Sequence, residues 1–99
     1  MTLKALSDPT RRALLDRLRQ SPCSVSELTE VVEISQPAVS QHLRVLKDAG
    51  LVGVQVDGAR RIYHLSADGL VELRAYIDTL WDEVLGAFQA AADNEATTN

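Results

Sequence analysis

Ser40, Gln41 and Arg44 recur at helical spacing within the stretch SQPAVSQHLRVLKDAG, residues 35–50. At ~100° per residue they share a face with Pro37 and Asp48, while Val39, Leu43 and Leu46 share the opposite one. A face that is only solvated is usually crowded with Glu and Lys. This one begins with neutral, short or amide side chains. Ser, Gln and Arg are the groups that match donor and acceptor patterns on base edges in a DNA major groove. The N-terminus of a helix adds a partial positive charge suited to phosphate. A solvated helix face is the competing reading. Other chemistry is scarce. No Ser-His-Asp set, phosphate-cradling glycine loop or H-E-x-x-H motif occurs, so no catalytic residue is assigned and an enzyme is not expected. His42 and His64 are the only histidines and Cys23 the only cysteine. His42 reads as a supporting or phosphate-bonding residue and His64 as a strand residue. Cys23 reads as a small apolar residue in a loop, with a redox switch as the alternative.

The elements that must present this face follow from caps and breakers. Ser35 can cap the helix, Pro37 falls in its first turn where a missing N–H is harmless, and Gly50 sits just past its end. Upstream, Leu3 and Leu6 suggest a short helical lead broken at Ser7-Asp8-Pro9. Asp8 caps the next helix and Pro9 opens it. That helix, about 9–20, buries Leu14, Leu15 and Leu18 and exposes Arg11, Arg12, Arg17 and Arg19. The run from Ser24 to Glu27 is a capping box, S-x-x-E. A helix over about 25–32 then buries Val25, Leu28 and Val31 or Val32. A short turn at Glu33-Ile34 gives a helix-turn-helix.

After Gly50 the period becomes two. Val52, Val54 and Val56 alternate with Leu51, Gly53 and Gln55, Asp57-Gly58 signals a hairpin turn, and the return strand is about Arg60–Leu65. A hairpin after a helix-turn-helix is a wing, with Arg60 and Arg61 near its tip, where phosphate or the minor groove could be met. Ser66 caps a last helix, about 67–92. Leu70, Leu73, Ile77, Leu80, Val84 and Ala87 form a nearly heptad seam on it. Trp81, Leu85 and Phe88 widen that seam beyond one partner. One edge is expected to cover the chain's own domain and the other to meet a second subunit. Residues 1–92 thus read as one domain with terminal dimerisation helices, and 93–99 as a frayed polar tail.

At 99 residues, 45% hydrophobic and 24% charged, the chain has the composition of one globular domain. Its core is marginal without disulfides, and dimerisation is the expected help. The net charge of −4 is unevenly placed. Residues 1–64 hold nine Lys and Arg against seven acids, a balance of +2, whereas 65–99 hold one Arg against seven acids, a balance of −6. The local field governs docking on DNA, so the acidic segment should lie away from it. A lone cysteine and no membrane-length apolar run or signal peptide lead to the expectation of a cytoplasmic protein.

Three quoted runs carry a family resemblance: ALSDPTRRALL at 5–15, ISQPAVSQHLRVL at 34–46 followed by AGLV at 49–52, and DGARRIYHL at 57–65. Over residues 3–88 the chain resembles ArsR-type (ArsR/SmtB-like) winged helix-turn-helix repressors. The resemblance implies a mainly α fold with a small β-hairpin, in the order α-α-α-α-β-β-α, and a homodimer on an imperfect inverted repeat of double-stranded operator DNA. It assigns the DNA contacts to Ser35, Gln36, Ser40, Gln41 and Arg44, with Arg60 and Arg61 on the wing. Dimerisation falls to Leu3, Leu6, Leu73, Ile77, Leu80, Trp81 and Val84. Many members sense metals through paired cysteines on the first helix of the motif. Here that helix reads Glu27-Leu28-Thr29-Glu30-Val31. The last helix, which supplies His and carboxylates in other members, has Asp78, Asp82 and Glu83 but no His. Soft and transition metals want thiolate or imidazole, so neither a metal site nor a cofactor is expected. The chain looks like the metal-independent, SdpR-like branch. Glu33 stands where relatives often place Gly, which would cost about 1 kcal/mol if that turn needed positive φ. The alternatives are a winged-helix protein–protein module, and the same repressor gated by a small molecule or by thiol oxidation.

Overall fold

The computed structural model describes the backbone of residues 2–97 and the side chains of residues 3–94. The order is α1 (Thr2–Leu6), α2 (Pro9–Leu18), β1 (Cys23–Ser24), α3 (Val25–Thr29), α4 (Gln36–Asp48), β2 (Val52–Asp57), β3 (Arg60–Leu65) and α5 (Asp68–Thr97). The expected winged helix-turn-helix order is present, with one strand added. β1 pairs antiparallel with β3, giving a three-stranded sheet in the order β1-β3-β2. Cys23 therefore lies in a strand, fully buried opposite Tyr63, and not in a loop.

The helices start where their caps dictate. Asp8 accepts from the N–H groups of Thr10 and Arg11 at 2.8 and 3.2 Å, and Pro9 opens α2. Ser24 and Glu27 form both halves of the capping box on α3. Ser35 accepts from Ala38 N–H at 3.4 Å to open α4. Their ends come earlier than expected. α2 stops at Leu18 and leaves Leu15 half-buried. α3 stops at Thr29, so Val31 is exposed while Val25 and Val32 are only half-buried. No described non-glycine residue has positive φ, so Glu33 carries none of the anticipated strain.

The core is one cluster. Leu14 and Leu18 of α2, Leu28 of α3, and Val39, Leu43 and Leu46 of α4 close on Ala5, Cys23, Leu51, Val52 and Tyr63. In the hairpin, Asp57 pairs with Arg60, so Gly58-Ala59 form the two-residue turn. The anticipated turn, Asp57-Gly58, is thus displaced by one residue. Gly58 has φ +63° and Ala59 does not have positive φ, the pattern of a II′ turn, which suits right-twisted strands.

Gly50, at φ +74°, ends α4 and lies against the start of α5. Gly69 N–H donates to Gly50 C=O at 2.8 Å, and Ser66 N–H to Leu51 C=O at 2.9 Å. A Cβ on Gly69 would strike the Ala49 carbonyl, so backbone meets backbone here only because both residues are glycine. The Ser66 hydroxyl accepts from Asp68 N–H at 3.4 Å. Beyond this joint α5 leaves the body. It runs five residues past its expected end at 92, and the last two residues of the expected tail lie outside the described residues. Every side chain from Arg74 to Asn94 is exposed. The expected edge covering the chain's own domain is confined to the first turns, where Leu73 is half-buried and Leu70 still 45% exposed. The molecule measures 71 × 24 × 22 Å with a radius of gyration of 19.4 Å. A compact chain of this length would have about 13 Å.

Candidate nucleic-acid interface

α4 is fixed by what lies behind it. Val39, Leu43 and Leu46 have no exposure at all, so the helix cannot roll without opening the core. Its outer face is then set. Gln36, Ser40, Gln41 and Arg44 are exposed, as is the cap Ser35. The hairpin stands beside this face. In an antiparallel pair, partners across the strands share a side of the sheet. Val54–Tyr63 and Val56–Arg61 are such pairs. Tyr63 is buried, so Arg61, two residues earlier, is carried on the same side.

Two adjoining grooves join wing and helix. One, of about 360 Å³, is lined by Ser40, Arg44, Lys47 and Asp48 of α4 with Arg61 and Tyr63 of β3. The other, of about 320 Å³, runs between Gln36, the start of α3 at Val25 and Ser26, and the wing residues Ala59, Arg60 and Arg61. Arg61 borders both. The structure thus gathers Gln36, Ser40, Arg44, Arg60 and Arg61 along one surface, with Ser35 and Gln41 exposed on the same helix. Lys47 was absent from the expected contact set. Its signal was its place one turn after Arg44.

The two wing arginines differ. Arg60 Nη2 donates to Glu27 Oε1 at 3.3 Å. That oxygen already accepts from Ser24 N–H at 3.1 Å and from the Ser24 hydroxyl at 3.0 Å. These Ser24 bonds, then Arg60, hold the Glu27 carboxyl below the usual carboxylate range. Asp8 is lowered likewise, first by the Arg11 N–H, then by Thr10 N–H and the positive field of His42 and Arg11. Arg60 is therefore tied to the start of α3. The Arg61 guanidinium makes no hydrogen bond or ion pair with any described residue.

The arginines of α2 also separate. Arg11 is not exposed as expected. It is half-buried, and together with Arg12 it reaches back to α1. Arg17 is half-buried and donates to the Ser21 hydroxyl at 3.3 Å, while Arg19 stays in solvent 3.7 Å from Asp16. His42 sits on the flank of α4, 3.3 Å from Arg11 through Nδ1. His64 lies over Gly53 on the sheet, its Nδ1 3.0 Å from the Leu65 carbonyl. Cys23 donates to Ser21 C=O at 3.3 Å from a fully buried site. Among the described residues no three His, Cys, Asp or Glu side chains gather where they could hold a metal ion.

The residues that build this surface match a known family. The model of the bacterial regulatory proteins of the arsR family fits residues 8–54, from the cap of α2 through α4 into β2. The HTH-type transcriptional regulator Rv2034 of Mycobacterium tuberculosis is 45% identical over 93% of this chain and 86% of its own length. This chain belongs to the ArsR family. It is a transcriptional regulator with a winged helix-turn-helix DNA-binding fold, and not an enzyme. It is 39% identical to the repressor SmtB of the same organism, over 72% of this chain, and spans about half (53%) of that relative's length. A solved structure described as "possible transcriptional regulator for arsenical resistance" superposes with a TM-score of 0.73 at 39% identity. It covers 87% of this chain and 94% of its own. The homodimeric winged helix-turn-helix DNA-binding domain of Mb0332 from Mycobacterium bovis superposes with a TM-score of 0.66 at 28% identity, over 85% and 78%. ArsR-type regulators with this fold bind DNA and dimerise, and no described helix here is long and apolar enough to cross a membrane.

Proposed function

We propose that this ArsR-family chain is a homodimeric, sequence-specific repressor of the cytoplasm. α4 enters the major groove of an operator, and Ser35, Gln36, Ser40, Gln41 and Arg44 meet bases or nearby phosphates. The wing meets the flanking backbone, chiefly through Arg61, since Arg60 is held by Glu27. Two copies join through α1 and α5, with Leu3, Ile77, Leu80, Trp81 and Val84 at the seam. Leu6, packed against the chain's own core, and half-buried Leu73 flank it. Residues 1–92 carry these roles, and the polar segment after them carries none. A two-fold dimer of this kind requires an inverted repeat with half-sites about one helical turn apart. Metal ions are not expected to release it from DNA, because the first helix of the motif bears no thiol and the last no imidazole.

The observation that supports the reading best is the outer face of α4. Its first half is neutral and amide-rich, and the face is backed by a fully buried one and flanked by an uncommitted wing arginine. Fluorescence anisotropy on operator variants across a salt series tests it. Arg44→Ala should flatten preference at particular operator positions by about 1–3 kcal/mol. Arg61→Ala should weaken all sequences together and lower the salt slope by about one. If Arg61→Ala altered base preference and Arg44→Ala left it intact, the roles of helix and wing would be reversed. A protein that bound no duplex at all would instead be a protein–protein module.

A further inference from the structure

α1 has five residues, too few to persist as a helix alone. Its last carbonyls have no partners within the helix. The N–H and hydroxyl of Ser7 cap Lys4 C=O, and α2 adds the rest. Arg11 Nε donates to Ala5 C=O at 2.7 Å and Arg11 Nη2 to Lys4 C=O at 3.1 Å. Arg12 Nη1 donates to Leu6 C=O at 2.9 Å. The remaining terminal nitrogen of Arg11, Nη1, faces His42 Nδ1 at 3.3 Å, with Asp8 Oδ2 at 4.0 Å. The Arg11 side chain is only 14% exposed. Arginine has donors and no acceptor, so this contact is a hydrogen bond only in the ring form whose Nδ1 accepts and whose proton sits on Nε2.

We infer that Arg11 is a positioning residue for DNA recognition: one planar guanidinium spans from the end of α1 to His42 on α4 and sets how α4 is turned toward the operator. This rests on α4 being the recognition helix. Packing behind Val39, Leu43 and Leu46 stops α4 from rolling freely, and within that limit the fork of Arg11 adds a directional restraint on both sides at once. His42 directly follows Gln41, so a turn of α4 that broke this bond would also swing Gln41. Because α1 carries exposed Leu3 at the proposed dimer seam, the same fork ties the seam to the reading face. Arg11 is not itself a phosphate contact, since its donors are committed inside the protein.

The test begins with a duplex enriched by the wild-type dimer from a random-sequence pool. Affinity for it and for a scrambled duplex is measured across a salt series for wild type, His42→Ala, His42→Gln, Arg11→Lys and the Arg11→Lys/His42→Ala double variant. His42→Ala should lose about tenfold of the preference for the enriched duplex. His42→Gln, whose side-chain oxygen restores an acceptor, should recover most of it. The double variant should be no worse than Arg11→Lys, and every salt slope should match wild type. Nitrogen chemical shifts of the wild-type ring should place the proton on Nε2. A slope lowered by about one in His42→Ala would make His42 a phosphate contact and overturn the inference. So would additive losses, no recovery with Gln, or a ring proton on Nδ1. Failure of wild type to enrich any duplex would overturn the DNA reading and this inference with it, whereas the other outcomes overturn the inference alone.

Discussion

α4 and α5 are both amphipathic, yet the chain treats them differently. The apolar face of α4 is wholly covered by α2, α3 and the hairpin. The apolar face of α5 is bare, with Ile77 at 50%, Leu80 at 41%, Trp81 at 62% and Phe88 at 71% exposure. The 13-residue helix sits within a body that supplies its partners, while the 30-residue helix outruns that body. A continuous apolar face of this kind is what the proposed second copy would cover. The difference is one of supply. Amphipathic periodicity states that a face must be covered, and the rest of the chain decides whether the cover is its own.

The largest effect that could break this contrast comes from a charge on the bare face. Leu80→Asp should abolish the dimer, because across a two-fold axis the unpaired charge is buried twice, at several kcal/mol in total. Sedimentation of the wild type should show a dimer at micromolar concentration, and of the variant a monomer. A wild-type monomer there would leave α5 without its proposed cover. The body should respond in another way. Leu43→Ala removes a fully buried side chain and should cost about 2–5 kcal/mol. Denaturant melts should show that loss at every protein concentration, whereas the Leu80→Asp effect should shrink as protein is diluted. Equal concentration dependence in both variants would erase the distinction between the helices.

The smallest effect sharpens the body's side of the contrast. Glu27 has its pKa lowered by Ser24 and Arg60. A group depressed in the folded state adds stability above its unfolded value, 4.5 for this glutamate, and loses it as pH falls through the folded value. Acid should therefore loosen the start of α3 and free the wing from it. Glu27→Gln should give a flatter melting-temperature profile below about pH 4. An unchanged profile would show that the capping box and the Arg60 pair do not contribute measurably.

Much of this was legible in the chain because caps and breakers act locally. Asp8-Pro9, Ser24 with Glu27, Ser35 with Pro37, and Gly50 each declare a boundary within a few residues. The hairpin announced itself by alternation. What stayed hidden depends on distant partners. β1 is two residues long and has no period of its own; it exists only because Tyr63 and Ile62 lie beside it. Arg11 looks in sequence like any surface arginine, and only the returning end of α1 gives it carbonyls to bind. Gly69 looks like a helix-interior glycine, and the approach of Ala49 and Gly50 is invisible from its neighbours. Exposure of the proposed contact residues followed from periodicity, but the grooves shared with Arg61 did not. Those depend on the strand register, which shifted the turn by one residue.

The glycine joint between α4 and α5 makes the last helix a lever. Its fulcrum is the backbone joint where Gly69 N–H donates to Gly50 C=O and Ser66 N–H to Leu51 C=O, next to the end of α4. At 1.5 Å per residue, the 30-residue arm is about 45 Å long. A rotation of roughly 10° at the fulcrum would carry its far end about 8 Å, while the residues at Gly50 move by a fraction of that. The gearing also runs backward: a large displacement of the far end arrives at α4 as a small, stiff rotation. A side chain at Gly69 would jam the bearing without touching either the seam or the reading face.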